Sequence, residues 1–236
     1  MQTLELSGLL ALLGVFGALL MFVADLVLYL PIDCRLWSTS IYFARIDPGG
    51  DALLASPMGV LGEERVMIGG VMGPAAALLY ACGFLCLPVA YWQAPGMSQA
   101  FAVVAAAGLS GMMIFGGTYH ALFTVTGLLA KARLQHASKG PLPALMAGHQ
   151  RYMKQLYRCA AVCGLVGSLS FIVAAHLPDS PFPPWICALV PAASAPIKKL
   201  LKHFEIGAPA GLILAGGLTN LWNMLFFGAI YWSMRI

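Results

Sequence analysis

The chain has 236 residues, of which 60% are hydrophobic and only 9% are charged, and its formal net charge is +4. Soluble domains carry about 25% charged residues, so this composition excludes an ordinary soluble domain. Several uncharged segments run for about twenty residues, the length an α-helix needs to cross a bilayer. Uninterrupted apolar runs also exclude a transmembrane barrel, whose strands alternate apolar and polar residues. The sequence therefore predicts an all-α, polytopic membrane protein with a single transmembrane domain over residues 1–236.

Six membrane-spanning helices in a bundle are predicted along the chain. They cover about residues 7–30, 63–91, 97–133, 144–177, 185–201 and 209–234, and the fifth is short and interrupted by Pro191 and Pro196. The third helix is longer than a bilayer requires, so we expect it to protrude or to break at Gly116 and Gly117. Residues 32–62 form a polar connector, which we expect in the cytoplasm with a short interfacial helix at Ala52–Ala55.

The basic residues orient these helices. Nearly all of them fall in the first, third and fifth connectors, and the second and fourth connectors hold none. The positive-inside rule then places the odd connectors in the cytoplasm and both termini outside, as expected for a multi-pass protein of a bacterial inner membrane. Most of these groups need no further role. Arg151, Lys154 and Arg158 share one helix face, and we expect this face to bind an anionic headgroup or a phosphate.

Polar side chains inside the predicted spans are few, and they fall on the first, third and sixth helices. Such groups are costly in hydrocarbon, so they should point into the bundle rather than toward lipid. We hypothesise that they line one cavity open to the cytoplasmic side. The candidate ligand-binding residues are Asp25, Tyr29, Tyr119, His120, Thr124, Asn220 and Asn223.

These residue types could carry chemistry in a low dielectric. An aspartate beside His120 could set the tautomer of the ring and pass a proton, so His120, Asp25 and Tyr29 are the candidate acid and base groups. The amides of Asn220 and Asn223 could orient a carbonyl or a hydroxyl of a bound molecule. The same residues could equally be structural, because hydrogen bonds between helices stabilise membrane bundles by roughly 0.6–2 kcal/mol each.

A weak internal repeat accompanies this pattern. The segment from Gly116 to His120 on the third helix resembles the segment from Gly216 to Asn220 on the sixth. Three helices per half would give the halves opposite orientations, as in transporters built from inverted repeats.

Three functions therefore remain open. The first is binding or transport of a small or amphiphilic molecule; the second is an intramembrane enzyme on a lipid-like substrate; the third is a structural or accessory subunit. The usual catalytic signatures and zinc-ligand spacings are absent, so we expect no cofactor and no metal. The expected partners are membrane lipid and a small ligand. The small net charge gives no reason to expect a nucleic-acid partner. The sequence is compatible with an oligomer.

Overall fold

A computed structural model describes residues 2–29, 61–94, 96–136, 140–201 and 210–235. Within these ranges the chain is all-helical and contains no strand. The helices are α1 (Gln2–Tyr29), α2 (Glu63–Phe84), α3 (Cys86–Ala90), α4 (Met97–His136), α5 (Leu142–His176), α6 (Ser194–Leu201) and α7 (Ala210–Ser233). Almost all of the predicted connector at 32–62, including its short helix, lies outside the described ranges.

Within the described ranges, four helices are long and apolar enough to cross a membrane, and they correspond to the first four predicted spans. They cover Thr3–Leu28, Glu63–Ala90, Met97–Ala132 and Leu142–His176. α4 is continuous through Gly116 and Gly117, so the break considered there does not occur. These four long apolar helices are therefore compatible with an integral membrane protein.

The fifth predicted span, residues 185–201, is interrupted at Pro191 as the sequence predicts, whereas Pro196 lies within the short helix α6. Two 3-10 helices, Pro184–Leu189 and Pro191–Ala193, occupy this segment and are followed by the short helix α6. A proline has no N–H to continue a hydrogen-bonded helix, so each 3-10 helix begins at one. We call residues 184–201 the broken segment. Six continuous spanning helices are thus not found in the described part of the chain.

Glycines let neighbouring helices pack closely in antiparallel pairs. A Cβ atom on Gly83 of α2 would lie 2.5 Å from the Cα of Gly14 on α1. One on Gly108 of α4 would lie 2.7 Å from the backbone nitrogen of Gly167 on α5. Such close backbone approach is typical of small-residue interfaces between membrane helices. The long helices lie side by side in the order α7, α1, α2, α4 and α5.

The broken segment lies between α5 and α7 and contacts both. The backbone N–H of Ala192 donates to the Ser168 hydroxyl of α5 over 3.2 Å, and the Trp222 indole of α7 donates to the Val190 carbonyl over 3.2 Å. Side chains of two helices thus bond to backbone groups of the interrupted segment, as non-helical backbone requires inside an apolar bundle.

An aromatic layer fills one half of the bundle. It consists of the fully buried side chains of Tyr80, Phe84, Phe171, Phe226 and Phe227. The ring centroids of Phe84 and Phe227 are 4.7 Å apart, and those of Phe171 and Phe226 are 5.2 Å apart in an edge-to-face arrangement. Rings at these distances attract one another beyond the effect of burial alone. This layer joins α2, α5 and α7.

The opposite half leads to what we call the basic end, where α1 ends and α2 begins. Arg65, Lys131 and Arg151 lie there on three different helices. Arg65 Nε donates to the Val27 carbonyl over 2.7 Å, so a cation satisfies the end of α1, as the helix dipole favours. Lys131 pairs with Glu63 over 3.8 Å.

Candidate functional site

Asp25 and His120 meet between α1 and α4 and are almost fully buried. His120 Nε2 lies 3.3 Å from Asp25 Oδ1, and the two residues are 5% and 7% exposed. This distance is that of an ion pair. The contact does not have the geometry of a hydrogen bond, and neither ring nitrogen of His120 has a hydrogen-bond partner among the described residues.

A chain of three hydrogen bonds continues from Asp25 into the bundle. Asn220 Nδ2 donates to Asp25 Oδ2 over 2.7 Å. Tyr80 Oη donates to Asn220 Oδ1 over 3.0 Å, and Asn223 Nδ2 donates to Tyr80 Oη over 3.4 Å. We call Asp25, Tyr80, His120, Asn220 and Asn223 the polar cluster. It joins α1, α2, α4 and α7.

Local sequence places each member of the polar cluster. His120 reaches Asp25 because Gly73 of α2 leaves room for the ring: a Cβ on Gly73 would lie 2.5 Å from His120 Nδ1. Asn220 and Asn223 are three positions apart on α7, so both face the same side of that helix. They are the only asparagines in the chain.

Two buried polar groups in the cluster are incompletely satisfied. Asn223 Oδ1 and both ring nitrogens of His120 have no hydrogen-bond partner within the part of the chain that is described. A buried polar atom without a partner costs about 1–3 kcal/mol. These atoms are therefore where a bound molecule could gain hydrogen bonds.

The other predicted ligand-binding residues lie elsewhere. The Tyr119 ring packs against Phe123 and against Tyr157 of α5, with centroids 5.0 Å and 6.2 Å apart, so it lies at the α4–α5 contact. Thr124 Oγ1 donates to the Val66 carbonyl over 3.3 Å and joins α4 to α2. The backbone of Tyr29 ends α1, and its side chain lies outside the described residues.

Tyr80 is the member of the cluster that the sequence analysis missed. A tyrosine in the middle of a spanning helix, far from either interface, carries a hydroxyl that needs a partner when it is buried. The position of Tyr80 within the span could therefore have indicated a buried polar contact. The side chain is fully buried, and it links the polar cluster to the aromatic layer.

The Asp25–His120 contact is the part of the cluster nearest to the basic end, whereas Tyr80 lies near the middle of the spanning segment Glu63–Ala90. Tyr119, next to His120, contacts Tyr157 of α5, and the part of α5 from Arg158 to His176 is about 27 Å long at 1.5 Å per residue. That length nearly equals the hydrocarbon thickness of a bilayer. His120 is therefore close to the level of Arg158, the charged residue at which the apolar part of α5 begins.

The three predicted headgroup-binding residues are exposed on α5. Arg151, Lys154 and Arg158 all face outward, beside the exposed rings of Tyr152 and Tyr157. Their role stays a prediction.

No group of three or more His, Cys, Asp or Glu side chains that could hold a metal ion occurs among the described residues.

No family model, curated protein or solved structure matches this chain.

Proposed function

We propose that this integral membrane protein binds or transports a small polar or amphiphilic molecule at the polar cluster. One observation carries the proposal: four helices bring hydrogen-bonding side chains together in a buried site where Asn223 Oδ1 and the His120 ring nitrogens lack partners among the described residues. Ionisable residues inside a membrane protein are expensive, and they usually mark pathways for substrates or ions.

The energetics favour a functional role over a purely structural one. Burying a carboxylate costs several kcal/mol, and well-packed apolar residues often stabilise a core as well as a buried ion pair does. A bundle that needed only interhelical contacts could use its glycine interfaces, which already join α1 to α2 and α4 to α5. The carboxylate of Asp25 is therefore better explained by ligand or proton binding.

The proposed route to the site runs from the basic end. The aromatic layer lies on the other side of the cluster, and its rings are fully buried. By the positive-inside rule the basic end is cytoplasmic, so the ligand would enter from the cytoplasm or from the inner leaflet.

The broken segment supports a transporter-like topology. α1 and α7 are antiparallel, because Gly14 approaches Phe227 while Gly217 approaches Phe22. We infer from this that the chain between α5 and α7 passes from one end of the bundle to the other, so that the proposed topology has six crossings with an interrupted fifth. Discontinuous helices of this kind form substrate sites in transporters built from inverted repeats. The repeat itself remains a prediction.

Native mass spectrometry of the detergent-purified protein tests the ligand site. We expect wild-type protein to retain a small molecule and Asp25→Asn to lose it. A hydrogen bond to a charged group contributes about 1.5–3 kcal/mol, so the substitution should lower affinity roughly 10- to 100-fold.

Thr124→Val is the matched control, because Thr124 lies on the same helix as His120 but bonds only to the Val66 carbonyl in the described structure. It should retain the molecule. Equal retention by wild type and Asp25→Asn, or no retained molecule and no thermal shift with small amines, carboxylates or lysophospholipids, would contradict the proposal.

An intramembrane enzyme is the second candidate, and the Asp25–His120 contact of 3.3 Å favours it. In that case His120 would act as the acid or base on a lipid-like substrate, and Asp25 would hold its tautomer. Turnover of a retained lipid, detected as a product mass that disappears in His120→Gln, distinguishes this reaction from binding or transport.

We also propose that the exposed basic face of α5 binds an anionic phospholipid headgroup. Arg151, Lys154 and Arg158 lie where the apolar part of α5 begins, beside two exposed tyrosines that suit the interface. Each basic residue near an anionic surface contributes about 1 kcal/mol.

Changing these three residues to glutamine should lower retention of phosphatidylglycerol at least about tenfold, measured by native mass spectrometry from mixed nanodiscs. Phosphatidylcholine retention should not change. Lys199→Gln, which removes an exposed basic residue from α6, is the control. Unchanged retention in the triple variant would mean that these residues only orient the helix.

A further inference from the structure

The three hydrogen bonds of the polar cluster all point toward Asp25. Asn223 donates to Tyr80, and Tyr80 donates to Asn220. Asn220 in turn donates to Asp25. An ionised carboxylate only accepts hydrogen bonds, so an ionised Asp25 fixes the direction of every donor behind it.

The direction of this series of hydrogen bonds determines which of its atoms is left without a partner. Tyr80 has a single hydroxyl hydrogen, and that hydrogen is donated to Asn220. Asn223 must therefore turn its amino group toward Tyr80 and its carbonyl away. That carbonyl oxygen, Oδ1, is buried and has no partner among the residues described.

We propose that protonation of Asp25 reverses this chain and makes the polar cluster a proton site that controls which ligand it accepts. One proton is taken up on Asp25 Oδ2, which then donates to Asn220. The Asn220 amide turns over and donates to Tyr80, and the Tyr80 hydrogen rotates toward Asn223. No other covalent bond forms or breaks. Amide oxygen and nitrogen are nearly equal in size, so the heavy atoms keep their places.

The reversal changes which group of the Asn223 side chain is free to bind a ligand. With Asp25 ionised, the free atom of Asn223 is a carbonyl oxygen, which accepts a hydrogen bond from an amine or a hydroxyl. With Asp25 protonated, Asn223 turns over, and the free group is an amino group, which donates to a carboxylate or a carbonyl. This inference rests on the proposed function, since it adds a proton and a ligand class to the same site.

The groups around Asp25 leave two places for the proton. His120 faces Oδ1 from α4, while Asn220 faces Oδ2 from α7 and Tyr80 approaches from α2. On α2, Arg65 donates to the carbonyls of Val27 and Leu26 near the end of α1. A proton on Oδ2 reverses the chain, whereas a proton shared between Oδ1 and His120 leaves every amide as it is.

Side-chain amide NMR tests the reversal without any ligand, so its failure is distinguishable from failure of the proposed function. Selective ¹⁵N-asparagine labelling gives two NH₂ signals, because the chain has two asparagines. Over a pH series from about 4 to 9, both signals should shift together. Asp25→Leu, which adds no third asparagine, should abolish both shifts. Tyr80→Phe should preserve the Asn220 shift and abolish that of Asn223.

Two further variants complete the test. Tyr91→Phe removes a buried tyrosine hydroxyl that contacts Ser180 over 2.8 Å at the opposite end, and it should leave both shifts intact. His120→Leu should also leave them intact, and this variant decides the matter if Tyr80→Phe does not fold. Loss of the shifts in His120→Leu, or an Asn223 shift that survives in Tyr80→Phe, would overturn the proposal.

Discussion

Asn220→Leu is expected to destabilise the protein by about 3 kcal/mol, and adding Asp25→Leu should recover part of this loss. The single substitution removes the donor that lies 2.7 Å from the buried carboxylate and leaves that carboxylate without its hydrogen bond. Asp25→Leu alone should cost less, about 1 kcal/mol, because it leaves only neutral groups unpaired. Equilibrium unfolding in mixed detergent micelles measures the three free energies.

The relative losses of stability in these variants distinguish a buried Asp25 carboxylate from one that is hydrated. If Asp25 were solvated through the basic end, Asn220→Leu would cost well under 1 kcal/mol, and the second substitution would bring no recovery. Thr124→Val is again the control: it removes one neutral hydrogen bond of 3.3 Å, and we expect a loss of about 1 kcal/mol.

Gly83→Ala is expected to lower stability by about 3 kcal/mol through the α1–α2 contact. The new Cβ would lie 2.5 Å from the Cα of Gly14, and backbone atoms cannot rotate away as a side chain can. The two helices must separate, and overpacking of this kind costs about 1–3 kcal/mol or more. The melting temperature in one detergent measures the loss.

Gly116→Ala provides the matched comparison. Gly116 is also a helical glycine, but a Cβ there meets nothing within 4 Å. Since alanine favours a helix by about 1 kcal/mol over glycine, we expect no loss of stability or a small gain. A similar melting temperature for both variants would mean that α1 and α2 are not in backbone contact.

Helical periodicity predicted which faces carry polar groups, but not which groups meet. Asp25, His120, Asn220 and Asn223 were selected because polar side chains avoid lipid, and the structure brings these four together. Tyr119 was selected for the same reason, yet one residue in a helix turns the side chain by about 100°, which places its ring against α5. Whether the cluster binds a ligand remains a prediction.

Composition alone determined that the chain is helical and membrane-compatible, because long uncharged segments leave a backbone in lipid no alternative to helices. The positions of charge, proline and glycine predicted the ends of the first four spans to within a few residues, except that the first helix begins at Gln2 and not near residue 7. Only the tertiary structure decided that Tyr80 completes the polar cluster and that side chains of α5 and α7 bond to the interrupted backbone of residues 184–201. The reason is physical: a hydroxyl or an interrupted helix is stable only where groups on other helices satisfy it, and sequence spacing does not say which helices are neighbours.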